Sequence, residues 1–109
     1  MLPALEHATI DPAKVRDYLL SAMHPVGRFK AVVFHTLGYK AEEWEKLLAD
    51  LLELARTTAA VPGQASGFGQ KYEVSGTLRG PNGREARFIC VWLVPIDGGA
   101  PRFITAFPG

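Results

Sequence analysis

The sequence has little of what would identify a function at once. Cys90 is the only cysteine in 109 residues, which excludes an intrachain disulfide framework and a cysteine-based zinc site. His7, His24 and His35 are the only histidines, and no HxH or HExxH spacing links any two of them. No glycine-rich loop with a Walker lysine is present either. We therefore expect neither a metal site nor a cofactor.

Charge of one sign and long apolar runs are also scarce. The formal net charge is +1, so the whole chain is not a strongly basic polyanion binder. No apolar stretch approaches the roughly 20 residues that span a bilayer, and the first residues lack the basic start and apolar run of a signal peptide. We expect a cytoplasmic protein without a membrane segment, although a module of a longer exported toxin would have the same features.

The composition that is present is globular, with 48% apolar and 21% charged residues, and it predicts one domain over residues 1–109. The helical part is predicted over about residues 11–58. Asp11 and Pro12 have the residue types of a helix start, and a second helix begins near His24, with Gly38 as its C-cap. The segment KAEEWEKLLADLLELARTTAA has acidic residues first and an apolar face afterwards, which predicts a third helix.

The periodicity changes after a loop predicted at residues 61–69, which is rich in Gly, Pro and Ser. KYEVSGTLR then alternates between apolar and polar residues, and GPNGR fits a three-residue hairpin loop with Gly83 in the left-handed position. This loop predicts a register in which Thr77 faces Arg87 and Arg79 faces Glu85. A further strand, Arg102 to Phe107, completes an antiparallel meander over residues 70–107.

These elements predict an α+β fold. About three N-terminal helices pack on one face of a C-terminal antiparallel β-meander of three or four strands. The other face of the sheet is left for function.

Candidate site residues lie in both halves of the chain. On a helix beginning near His24, positions 24, 28 and 35 share one face, with Lys30 nearby. The strands contribute five more polar residues: Lys71, Ser75, Thr77, Arg87 and Thr105. A histidine beside cations and hydroxyls has the composition of a phosphodiester site, because such chemistry needs proton transfer and stabilisation of the phosphate charge.

Most of these residues also have a purely structural interpretation. His24 before Pro25 fits a boundary between two helices as well as it fits catalysis, and His35 fits a partly buried surface position. Lys71 fits the protection of an edge strand, and Thr105 fits an ordinary β-branched strand position. Arg79 is predicted to form an ion pair with Glu85, and two tryptophans, Trp44 and Trp92, are predicted to be core residues.

Four segments carry a resemblance to known proteins: HPVGRFKAVVFHTLGY, WEKLLADLLELA, FGQKYEVSGTLRGPNGREARFICVWLV and PRFITAFP. Together they resemble a bacterial family of uncharacterised small domains with the pattern HP-x-G-x-x-K, GQKYEV-x-G, GPNG-R and TA-[YF]-P. The order of helices and strands, with a hydroxyl residue on the last strand, is in turn similar to the barnase, EndoU, colicin and RelE-type group of ribonuclease toxins.

The second resemblance implies a metal-independent endoribonuclease toxin that acts on RNA and has an antitoxin or immunity protein as partner. It implies that His24 is the acid or base, that Arg28 and Lys30 hold phosphate, and that Arg87 and Thr105 contact the transition-state oxygens. The chain departs from the barnase pattern in lacking a clear catalytic glutamate, for which Glu73 is the only candidate on the sheet. The alternative hypothesis is a noncatalytic protein-binding module.

Overall fold

Helices precede strands along the chain, as the sequence predicts. The computed structural model describes residues 7–20 and 27–109, with side chains described for residues 7–20 and 31–109. The three described helices are α1 Pro12–Lys14, α2 Gly27–Thr36 and α3 Trp44–Thr57. A π-helical segment, Val15–Leu19, continues α1, and a short 3-10 helix, Ala41–Glu43, precedes α3. The strands are β1 Ala60–Ser66, β2 Gly69–Arg79, β3 Glu85–Pro95 and β4 Arg102–Pro108. They form one antiparallel sheet in the order β1-β2-β3-β4, which confirms the predicted fold class.

The first two helices have the predicted capping residues. The Asp11 carboxylate accepts a 3.0 Å hydrogen bond from the backbone N–H of Ala13 at the start of α1. Gly38 follows the end of α2 at Thr36, and its φ of +96° belongs to the left-handed region that glycine adopts at little cost. The predicted end of the first helix and the predicted start of the second at His24 lie outside the described residues.

The C-terminal end of α2 is a Schellman motif. The N–H of Tyr39 donates to the carbonyl of Phe34 at 3.2 Å, and the N–H of Gly38 donates to the carbonyl of His35 at 2.9 Å. The rings of Phe34 and Tyr39 meet edge to face at 6.3 Å, which is the apolar contact that often accompanies this motif. The turn therefore directs the chain from α2 into the approach to α3.

Residues 61–69 depart from the sequence prediction of a loop. Most of them belong to β1, which pairs antiparallel with β2. The loop-like composition is compatible with a strand here because β1 is at the edge of the sheet, where proline removes no hydrogen bond that the sheet needs. The pairing register also shifts between Pro62 and Ala65, which marks a bulge in the strand.

The β2–β3 hairpin has the predicted register, with Thr77 opposite Arg87 and Arg79 opposite Glu85. The N–H of Gly80 donates to the carbonyl of Arg84 at 2.9 Å and so closes the three-residue loop. Gly83 has a φ of +85°, as the left-handed position of this loop requires. The alternation of β2 and the loop sequence were therefore sufficient to predict the pairing.

The loop of this hairpin, residues 80–84, packs against the end of α2. The side-chain amide of Asn82 donates to the carbonyl of Thr36 at 2.8 Å, and its backbone N–H donates to the carbonyl of Leu37 at 3.3 Å. These bonds satisfy carbonyls that the end of a helix otherwise leaves unpaired. A Cβ atom at Gly80 would overlap the carbonyl oxygen of Leu37, so the close approach requires glycine.

The π-helical segment, α2 and α3 contribute to a core that covers one face of the sheet. The ring of Phe34 on α2 stacks on Phe88 of β3, with centroids 4.8 Å apart and planes 9° apart. Leu54 of α3 lies over Gly76 of β2, where a Cβ would come within 2.6 Å of a leucine methyl group. We call this side of the sheet the covered face, and no helix among residues 7–20 and 27–109 covers the opposite side.

Candidate functional site

The side of the sheet away from the helices, which we call the open face, carries the outward-pointing side chains of β2, β3 and β4. Antiparallel pairing places them in rows across the two central strands: Lys71 beside Leu93, Glu73 beside Val91, Ser75 beside Ile89, and Thr77 beside Arg87. Strand β4 extends three of these rows with Arg102 beside Leu93, Thr105 beside Val91, and Phe107 beside Ile89. The rows bring residues from both ends of the C-terminal half onto one surface.

A bulge in β4 determines which of its residues reach the open face. The register shifts between Val91 and Trp92, so that Thr105 pairs with Val91 whereas Phe103 pairs with Trp92. Residues 103 and 105 would share a face in a regular strand. Because of the bulge, Phe103 lies in the core, where it meets the Trp92 ring edge to face at 5.5 Å, and Thr105 lies on the open face.

The charged residues of the open face are exposed and carry an excess of positive charge. Three strands contribute four cations and two carboxylates: Lys71, Arg79, Arg87, Arg102, Glu73 and Glu85. Within the described part of the chain, none of these six takes part in an ion pair, and the predicted pair of Arg79 with Glu85 does not form although the two residues are opposite each other. The surface therefore has cations available for an anionic ligand.

Glu73 is the carboxylate nearest the middle of this surface. It shares a row with Thr105 across Val91, so their Cα atoms are about 10 Å apart at the usual strand spacing. Lys71 and Ser75 lie two residues before and after it on the same face, about 7 Å away along the strand. A cation, a carboxylate and hydroxyls are thus within reach of one extended polyanionic chain.

The structure brings together the five residues that were predicted on strands. Lys71, Ser75, Thr77 and Arg87 are exposed, and Thr105 is half-buried, all on the open face. These positions follow from the strict alternation of β2 and the register of the hairpin. They form the candidate site.

The residues that were predicted on the helix have a different position. Arg28 and Lys30 belong to α2, which packs on the covered face through Phe34, and nothing is described of their side chains. His24 lies outside the described residues. His35 is exposed near the end of α2, where it lines a groove with Lys40 and Glu42, so the predicted partly buried position was wrong.

Two features of the open face were absent from the sequence prediction. Arg102 extends the row of Lys71 and Leu93, and only the bulged register of β4 reveals it. The centre of the face is also apolar, because Ile89, Val91 and Leu93 of β3 point outward and are only half-buried. The run FICVWLV, apolar at nearly every position, was the available signal, since such a strand presents apolar side chains on both faces.

Other kinds of site find no support in the ranges 7–20 and 27–109. These residues contain no group of three or more His, Cys, Asp and Glu side chains arranged to hold a metal ion. None of the described helices combines the length and the apolar character needed to cross a membrane.

Cys90 is buried on the covered face. Burial raises the pKa of its thiol to about 12, which makes it a poor nucleophile.

The chain belongs to an uncharacterised family, described as Domain of unknown function (DUF6883), whose profile matches residues 1–109. No curated protein matches it. Among solved structures, a chain of the "Contact-dependent growth inhibition toxin - immunity protein complex from Klebsiella pneumoniae 342" has a similar fold, with a TM-score of 0.70. The two chains are 18% identical, and the match covers 98% of this chain and 97% of the other. The likeness therefore extends over nearly the whole of both chains and establishes a shared fold.

Proposed function

We propose that the chain is the RNA-cleaving domain of a bacterial toxin and acts through its open face as a metal-independent endoribonuclease. The observation that carries the proposal is the set of exposed cations, on the same face as Glu73 and Thr105, that form no ion pair with the residues whose side chains the structure describes. These cations share one sheet face whose opposite side is covered by helices.

The fold comparison supports a toxin-related or immunity-related module. The similar chain comes from a complex of a growth-inhibition toxin with its immunity protein, and the likeness covers almost the full length of both chains. A toxin of this size acts by binding or by catalysis, and a positively charged face suits a nucleic-acid substrate. An immunity protein is then the natural protein partner of this chain.

The proposed reaction is attack of a ribose 2′-hydroxyl on the adjacent phosphorus. A bond forms between the 2′-oxygen and phosphorus while the bond from phosphorus to the 5′-oxygen breaks, leaving a 2′,3′-cyclic phosphate and a 5′-hydroxyl end. Glu73 accepts the proton of the 2′-hydroxyl as general base. Arg87 stabilises the negative charge that develops on the phosphate oxygens, and the hydroxyl of Thr105 hydrogen-bonds one of them. Lys71 lies about 20 Å along β2 from Thr77, the residue opposite Arg87, and holds a neighbouring phosphate of the same RNA chain.

Protonation of the departing 5′-oxygen needs an acid, and we assign this role to His24 because an imidazole titrates near neutral pH. Arg28 and Lys30 are assigned to the flanking phosphates, with Ser75 and Thr77 as further hydrogen-bonding groups along β2. Helix α2 contacts β4, the edge strand that carries Thr105. The assignment requires the side chains of His24, Arg28 and Lys30 to reach the open face around this edge.

Purified protein and 5′-labelled RNA test the proposal in buffer containing EDTA. We expect cleavage that leaves 2′,3′-cyclic phosphate ends and fails on RNA with a 2′-deoxyribose at the cleavage position. Arg87→Ala should lower kcat by about 10²- to 10³-fold, and Glu73→Gln and His24→Ala by about 10²- to 10⁴-fold.

Arg56→Ala is the matched control, because Arg56 is an exposed arginine of α3 with Glu53 as its partner at 3.6 Å. It should leave kcat unchanged. Intact RNA after incubation with the unmodified protein, or equal loss of activity in Arg56→Ala and Arg87→Ala, would overturn the proposal.

A noncatalytic protein-binding module is the second candidate. The apolar centre of the open face favours it, since Ile89, Val91 and Phe107 are half-buried there and would be covered by a docked partner. Stoichiometric capture of a protein through this face, together with intact RNA, would support this function. In that case Val91→Lys should abolish the capture.

A further inference from the structure

An aromatic ring lies fully accessible at one end of the open face. Phe68, in the turn between β1 and β2, has 82% of its surface exposed. Its backbone is nevertheless fixed, because its carbonyl accepts a 3.0 Å hydrogen bond from Ile96 and its N–H donates to the hydroxyl of Ser66 at 3.2 Å. A ring held in solvent by an ordered backbone gains little stability from burial, and it is available for contact with another molecule.

A groove of about 400 Å³ lies beside this ring. This volume falls in the range of sites for small molecules. Leu93 contributes an apolar wall, and the polar groups that line the groove are those of Gln64, Ser66 and Lys71. The size and the mixture of apolar and polar groups suit a planar ring with hydrogen-bonding edges.

The bulge of β1 places the side-chain amide of Gln64 at this groove. Gln70 donates from its amide nitrogen to the carbonyl of Gly63 at 2.8 Å and to the carbonyl of Lys71 at 2.9 Å, which holds the bulge against β2. Gln64 follows Gly63 in the bulge, and its own amide has no hydrogen-bond partner among residues 7–20 and 27–109. An amide offers both donors and an acceptor to the edge of a bound ring.

We propose that this groove binds an unpaired nucleobase, which stacks on Phe68 and turns its edge toward the amide of Gln64. The phosphates on either side of that base then meet Lys71 and Arg102, which flank Leu93 in one row of the sheet. This inference rests on the proposed function and adds the substrate class, single-stranded RNA. A duplex keeps its bases stacked on one another and cannot use the ring of Phe68.

Binding of a fluorescent 2′-O-methyl oligonucleotide tests the proposal by anisotropy, because the modification blocks the nucleophile and leaves the bases unchanged. Phe68→Ala should weaken binding of the single strand by about 5- to 150-fold, the usual effect of losing one stacking ring. Phe68→Trp should retain binding, and Gln64→Ala should reduce the difference in affinity between bases. Ile96→Ala is the matched control, since Ile96 is 75% exposed at the same end of the sheet and does not line the groove.

The outcomes separate this proposal from the proposed function. Equal affinity of the unmodified protein and Phe68→Ala for the single strand would overturn the nucleobase site. Loss of affinity in Phe68→Ala without any cleavage of unmodified RNA would refute the endoribonuclease and keep the site. Cleavage of RNA with the same KM by the unmodified protein and by Phe68→Ala would refute the nucleobase site and keep the endoribonuclease. If the unmodified protein neither binds the single strand nor cleaves RNA, both proposals are refuted.

Discussion

The hydroxyl of Tyr39 donates a 2.6 Å hydrogen bond to Oδ2 of Asp50, which connects the residue after the α2 cap to the middle of α3. The other carboxylate oxygen of Asp50 accepts a 3.0 Å bond from the ammonium group of Lys46. The Tyr39 ring also meets Phe34 edge to face. One tyrosine thus joins two helices through its ring, its hydroxyl and its backbone.

Tyr39→Phe keeps the ring and removes the hydroxyl, and with it this hydrogen bond and the longer 3.4 Å contact with the carbonyl of Arg79. We expect the free energy of unfolding to fall by about 1–2 kcal/mol, because a partly buried carboxylate loses one of its two donors. Urea denaturation at pH 7 measures the change. In Lys46→Ala, which removes only the exposed partner of Asp50, the loss should stay below about 0.5 kcal/mol. Identical midpoints for the unmodified protein and Tyr39→Phe would refute this energetic role.

Stability should decrease at alkaline pH because Cys90 is buried. Burial raises the pKa of its thiol from 9.0 to about 12, so between these values the unfolded chain loses a proton that the folded chain keeps. The stabilisation is fully present below pH 9 and is lost as the pH rises toward 12, at no more than about 1.4 kcal/mol per pH unit. Burial, with the hydrogen bond to Asp50 as a smaller cause, also raises the pKa of Tyr39, which adds a loss that begins near pH 10.

Denaturation of the unmodified protein and of Cys90→Ala at pH 8 and pH 10 measures this effect. The unmodified protein should lose more stability between the two pH values than the variant does. The thiol should also react with a disulfide reagent only when denaturant is present, since it is buried in the folded chain. Rapid labelling of the native protein would contradict the burial on which the prediction depends.

Gly80→Ala should be severely destabilising. The new Cβ would overlap the backbone of Leu37, so the hairpin loop would have to separate from the end of α2. We expect a loss of more than about 3 kcal/mol in the free energy of unfolding. Asn82→Ala removes its hydrogen bonds to Thr36 and Arg84 without such a clash, and should cost about 1–2 kcal/mol.

Gly67→Ala is the matched control for the glycine substitution. Nothing lies within 4 Å of a Cβ built at Gly67, in the turn between β1 and β2, and its effect should stay within about 0.5 kcal/mol. Thermal or urea denaturation of the three variants gives the order. A Gly80→Ala protein as stable as Gly67→Ala would show that the loop does not need its contact with α2.

The parts of the fold that could be predicted are those determined by local sequence. The helix caps at Asp11 and Gly38 depend on a few adjacent residues, and the hairpin register depends on one loop and the alternation of β2. The loop-like composition of residues 61–69 concealed β1, because an edge strand tolerates proline and glycine that a central strand would exclude. The bulge in β4 was hidden because a single unpaired residue leaves no pattern in a strand of seven residues.

The residues of the candidate site also fall into those that local sequence predicts and those that depend on tertiary structure. Lys71, Ser75 and Thr77 were predictable from alternation along a single strand, and pairing across the hairpin added Arg87. Arg102 depended on the register of a strand that lies beyond the β3–β4 turn, which the sequence does not specify. The relation of α2 to the open face depends on how helices pack over a sheet, a tertiary property without a local signal.

The contact of Asn82 with Thr36 spans 46 residues of chain, and this separation affects the order in which the protein can be completed. A chain made from its N-terminus produces α2 well before residue 82 exists, so the last carbonyls of that helix have only water as a partner at first. Closure of the β2–β3 hairpin then gives these carbonyls their hydrogen-bond donors and at the same time docks α2 onto the sheet. The end of the helix and the hairpin should consequently form and melt as one cooperative unit, whose formation is delayed until the β-half of the chain has been synthesised.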